Sequence, residues 1–204
     1  MIIKKLALLA VAGWVVAQSD LAAIDADFTE ADMRRAVTIA VGSEGNRERF
    51  HAAYNVPVSD EAVEQVEVIT EFRRFVLASE EQLGLGNWML ARGGFDSNGR
   101  TLKHLLERWK GQVSLRTRVR FHPQHAYTAI PAIDILVGEP SFLAVETVRT
   151  PVTVSFDGGT SGLVGAVVET TFNALSFANR TLPVRIVLDG KPLTRLNVDF
   201  ARLD

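Results

Sequence analysis

The stretch QVSLRTRVRF, residues 112–121, decides how the rest of the chain is read. Val113, Leu115, Val119 and Phe121 alternate with Ser114, Arg116, Arg118 and Arg120. A period of two puts the first set on one face of a β-strand and the second set on the other, so the apolar set faces a core and the arginines face away from it.

Upstream of this stretch the period is helical. Thr29 followed by Asp32 has the spacing of a capping box, in which each side chain bonds the other residue's backbone N–H. Met33, Ala36, Val37 and Ala40 then recur on one helical face, and Gly42 is the stop. Residues 44–54 read as a second short helix ahead of Pro57. Thr70 is the N-cap of a third helix, with Phe72, Phe75, Val76 and Ser79 on its inner face and Gly84 at its end. Leu102, Leu105, Leu106 and Trp109 predict a fourth helix over 100–110, with Trp109 in the core. The five glycines between 84 and 99 mark a long loop that carries Trp88 and Phe95. Residues 62–69 fit a strand and a helix turn equally well, because Val66 and Val68 alternate over too short a run to decide.

Downstream, the two-residue period continues at 133–137, 143–149, 152–156, 163–172, 184–188 and 193–200. With the opening stretch this makes seven short strands. They are separated by the turn residues Gly138-Glu139-Pro140, Asp157-Gly158-Gly159 and Asp189-Gly190, the last read as a hairpin loop extending through Lys191-Pro192. The expected fold class is α+β: a helical N-terminal region, 18–111, followed by a C-terminal antiparallel β-sandwich, 112–204, of immunoglobulin- or fibronectin-like architecture. The Cys–Trp–Cys signature of immunoglobulin domains is absent, and whether the two regions share one core is open at this level.

Residues 1–17 have the three parts of a signal peptide: Lys4 and Lys5, the apolar run 6–17, and the small residues Val15 and Ala17 before Gln18. The run is shorter than the roughly 20 apolar residues of a membrane span. The expectation is an exported protein, periplasmic or extracellular, with no transmembrane span after cleavage. The chain has no cysteine, which excludes disulfides, thiolate catalysis, cysteine-ligated zinc, iron–sulfur clusters and a lipid anchor on an N-terminal cysteine. It carries 22 basic and 24 acidic residues without a basic run, so no nucleic-acid partner is expected. The charge is uneven: 18–111 holds 11 basic and 16 acidic side chains, whereas 112–204 holds 9 and 8.

Arg116, Arg118 and Arg120 form a row of guanidiniums suited to carboxylates or phosphates. The row is read as a solvated sheet face or as docking against acidic side chains of the helical region (Glu64, Glu67, Glu71, Glu80 or Glu81), the docking reading being the one taken to a prediction. It is also, with Trp88, the ligand-binding candidate. His122 and His125 could supply two metal ligands, but His104 and Glu107 complete no set, so no metal and no cofactor is expected. Glu169 interrupts an apolar run, yet alternation turns it outward and away from a catalytic role. Residues 158–162 lack the spacing of a nucleophile elbow, and Gly84-Leu85-Gly86 lacks the third glycine of a dinucleotide loop. Asn179-Arg180-Thr181 is a glycosylation sequon. With no catalytic residue assigned, the reading leans away from an enzyme. It favours a non-enzymatic binding or assembly module with a protein or cell-envelope partner. The alternatives are an extracytoplasmic hydrolase with a dispersed site and a carrier of an apolar ligand.

Overall fold

The computed structural model describes residues 28–123, 127–156, 161–177 and 180–203. The signal-peptide reading of 1–17, His125, the turn at 157–159 and the asparagine of the sequon lie outside them.

Among the described residues, five α-helices and eight strands follow in chain order: α1 Glu30–Ala40, α2 Glu44–Ala52, β1 Asn55–Val56, β2 Val63–Ile69, α3 Glu71–Gly84, α4 Trp88–Ala91, α5 Leu102–Leu106, β3 Gln112–Arg120, β4 Ile133–Val137, β5 Glu146–Ser155, β6 Ser161–Asn173, β7 Thr181–Leu188 and β8 Lys191–Asp199. The protein is thus α+β, and none of these helices is long and apolar enough to cross a membrane. Local chemistry sets the helix starts. Both bonds of the Thr29–Asp32 capping box form, and the Thr70 hydroxyl accepts from the Arg73 N–H at the head of α3. On α3, Phe72, Phe75, Val76 and Ser79 are buried as their spacing requires.

The strands make two antiparallel sheets, one of order β1-β2-β3-β6-β5 and one of order β4-β7-β8. Residues 63–69 are therefore a strand, and β2 pairs with β3, joining the chain on either side of residue 111 in one sheet. The inner faces of the two sheets close on one another. Val66, Val68, Leu115, Val119 and Val168 from the larger sheet share a cluster with Ile133, Ile135, Val184, Ile186 and Val198 from the smaller. Phe172, Phe177 and Phe200 seal the cluster, with ring centroids 5.3 and 4.8 Å apart in the tilted and edge-on arrangements that aromatic quadrupoles favour. A second, smaller cluster (Ala36, Ala40, Phe72, Phe75, Val76, Leu90 and Leu102) holds α1, α3, α4 and α5 together.

Four local expectations need correction. The runs 143–149 and 152–156 are one strand, β5, passing through Pro151. Proline is tolerated there because β5 is an edge strand, paired on one side with β6. The helix expected over 100–110 is α5 followed by a 3₁₀ turn, Glu107–Trp109, so Trp109 is half-buried between the guanidiniums of Arg74 and Arg108, at 4.0 and 4.5 Å from its ring, and not in the core. The loop between 84 and 99 contains α4, which buries Leu90 and Ala91. The β7–β8 hairpin loop is two residues long, because Leu188 pairs with Lys191; Asp189 and Gly190 both take positive φ, 47° and 76°. That is the twist a two-residue hairpin needs.

Candidate functional site

Strand register generates the outer face of the larger sheet as three cross-strand rows. The first row runs Glu67, Arg116, Glu169, Val148 across β2, β3, β6 and β5. The second runs Gln65, Arg118, Val167, Thr150. In the third, Arg120, Gly165 and Val152 are aligned, so β6 contributes no side chain. Charged groups thus fall on β2, β3 and, in the first row, β6, whereas β5 contributes Val148, Thr150 and Val152 and no charge.

The carboxylates of the first row are engaged by α3, although Arg116 stays 38% and Val148 47% exposed. β2 leads through Thr70 directly into α3, whose first turn folds two arginines back onto the sheet. Arg73, with its side chain 2% exposed, donates to the Val68 carbonyl at 2.7 Å and to Glu67 at 3.3 Å. Arg74 donates to the Ser114 hydroxyl at 2.6 Å and to Glu169 at 3.0 Å. Arg116 meets the other oxygen of Glu169 at 2.8 Å and lies 3.9 Å from Glu67. Burial works to raise the pKa of Glu169, but the charges and hydrogen bonds of Arg74 and Arg116 outweigh it and hold the carboxyl below its ordinary value. Glu169 is ionised, faces outward as the alternation requires, and serves as an acceptor for two guanidiniums.

The third row is open. A bulge in β2 between Val63 and Gln65 brings Glu64 to the outer face. There its carboxylate takes Arg118 Nε at 2.9 Å and Arg120 Nε at 2.7 Å. Arg118 and Arg120 remain 50% and 65% exposed. On the opposite side of the groove stand Val152, paired with Gly165, then Val154, paired with Gly162, and Phe156, the last two 40% and 55% exposed. The Phe156 ring lies against Gly162, in space that a side chain there would take. A side chain at Gly165 would run into the Val119 carbonyl of the neighbouring strand, so the close approach of β6 to β3 requires glycine at this point. The result is a groove of about 730 Å³ with a cationic wall, an apolar wall, and Phe121 and Tyr127 at its end. A shallower depression of about 460 Å³ continues along the first two rows.

The remaining candidates lie elsewhere. Trp88 starts α4, 56% exposed, with the Arg92 guanidinium 5.6 Å from its ring, and lines neither depression. His104 bonds the Thr101 hydroxyl at 3.1 Å in the cap of α5. His122 lines the groove end. Among the described residues no three His, Cys, Asp or Glu side chains converge as a metal site would require. Of the acidic residues named as partners for the arginine row, Glu64 and Glu67 meet it. Glu71 accepts from the Gly111 N–H at 3.0 Å, and Glu80 pairs with His51 at 3.0 Å.

Sequence reasoning missed Arg73 and Arg74, the glycine floor and the valine wall. The wall did leave a signal: Val148, Thr150, Val152, Val154 and Phe156 keep one period of two straight through Pro151. Compared with protein-family models, with curated proteins and with solved structures, the chain matches none of them.

Proposed function

We propose that the protein is an exported, non-enzymatic binding module that engages a component of the cell envelope through the outer face of its larger sheet. The observation that carries this reading is the groove of the third row, where Arg118 and Arg120 face an apolar wall in an open space of about 730 Å³. That volume falls in the range of ligand-binding clefts, which pair mostly apolar linings with a few placed polar groups. The acidic side chains of this face, Glu64, Glu67 and Glu169, are all engaged by arginines, which speaks for recognition and against acid–base chemistry there. Export rests on the composition of residues 1–17. The immunoglobulin- or fibronectin-like form of the sandwich belongs to the same proposal, supported by antiparallel pairing and the apolar layer between the sheets.

The test is co-sedimentation with cell-envelope fragments from the producing cells, after export and processing to Gln18 are checked by intact mass. Wild-type protein is expected to sediment with the fragments, and Val154→Asp is expected to stay in the supernatant. Equal behaviour of the two proteins, or a protein retained in the cytoplasm with Met1 in place, would refute the reading.

A further inference from the structure

Resting on the binding-module reading, we propose that the groove of the third row seats a single-chain anionic amphiphile, with its carboxylate on Arg118 and Arg120 and its alkyl chain along Val152, Val154 and Phe156. Charge complementarity identifies the head. Arg118 and Arg120 share the one carboxylate of Glu64. Each guanidinium carries five N–H donors, far more than one carboxylate can accept, so donors and positive charge are left over at the groove. A second carboxylate beside Glu64 would complete a charge-assisted network.

The opposite wall identifies the tail. Val154 and Phe156, 40% and 55% exposed, line the groove together with the arginines. The rows on β3 and β5 are two strand spacings apart, about 9.5 Å. Gly165 leaves the floor between them bare. A furrow of that width, charged on one side and apolar on the other, suits one extended chain lying along the sheet face. An added peptide strand fits less well. It would have to pair with the edge of β5, where Pro151 has no N–H to offer.

The experiment is calorimetric titration of the purified protein with sodium dodecanoate below its micellar concentration, with decanoate, octanoate and dodecyltrimethylammonium alongside. Saturable binding of one dodecanoate is expected, weakening about two- to fourfold for each methylene removed. Dodecyltrimethylammonium is expected not to bind. Arg118→Gln should weaken dodecanoate binding about tenfold or more, and Val154→Asp should weaken it at an unchanged melting temperature. Absence of saturable binding overturns the proposal, as does equal binding of the cationic chain. Binding only of an apolar peptide with a free C-terminal carboxylate overturns it too and assigns the groove to a protein partner. If dodecanoate fails while envelope association still depends on Val154, the amphiphile is wrong and the binding-module reading stands. If both fail, both readings fall.

Discussion

Arg116 and Arg118 stand two positions apart on the same face of β3, yet their surroundings divide them. Arg116 shares Glu169 with Arg74 beside the first turn of α3, where the Val68 carbonyl takes Arg73 and the Ser114 hydroxyl and Trp109 ring take Arg74. Arg118 shares a single carboxylate with Arg120 and faces an open furrow. The difference lies in the neighbours. One end of the row is capped by the helix that grows out of β2, and the other is bordered by a glycine and an apolar edge strand. A row that looks uniform in the sequence is structural at one end and available at the other.

The largest effect is expected from breaking the covered end. Glu169→Gln leaves Arg74 buried beside a neutral amide and should cost about 3 kcal/mol in urea unfolding. The effect depends on pH in a definite direction. The folded-state pKa of Glu169 is depressed, so its contribution is fully present above the unfolded value. It is lost as pH falls through the folded one. The stability difference between wild type and Glu169→Gln should therefore shrink on acidification from about pH 5 downward. A constant difference down to pH 3 would remove Glu169 from the account of the covered end. Gly165→Ala comes next, at about 2 kcal/mol, because the new Cβ meets backbone that cannot rotate away. A thermally neutral Gly165→Ala would mean that β6 and β3 approach less closely than described.

How much of this face was legible depended on the range of the interaction. The alternation of Arg116, Arg118 and Arg120, the Thr29–Asp32 box and the Thr70 cap were readable because each is set within a few residues. What lies opposite Arg120 was not, since Gly165 is 45 positions away and only strand register brings it there. Residues 63–69 defeated periodicity because a short alternating run serves strand and helix alike; pairing with β3 settles them. The runs 143–149 and 152–156 join through Pro151 because proline, excluded from central strands, is tolerated at an edge, and which strand is an edge is set by the sheet as a whole. Arg73 and Arg74 carry no signal of their own in the sequence, because it is the β2–α3 junction that turns them onto the sheet.

Smaller effects sharpen the contrast. Thr70→Ala removes the cap at the junction that positions Arg73 and Arg74, and should cost about 1 kcal/mol by thermal melting. Arg118→Glu, at the open end, should cost about 0.5 kcal/mol in dilute buffer and less in 1 M salt, because its ion pair is half exposed. A loss from Arg118→Glu as large as that from Glu169→Gln would erase the distinction between the ends.

The most direct test of that distinction is dodecanoate titrated into two conservative variants side by side, Glu169→Gln from the covered end and Arg118→Gln from the open end. Glu169→Gln is expected to keep its affinity within about twofold of wild type while Arg118→Gln loses about tenfold or more. Equal losses in both variants, or no loss in Arg118→Gln, would contradict that distinction.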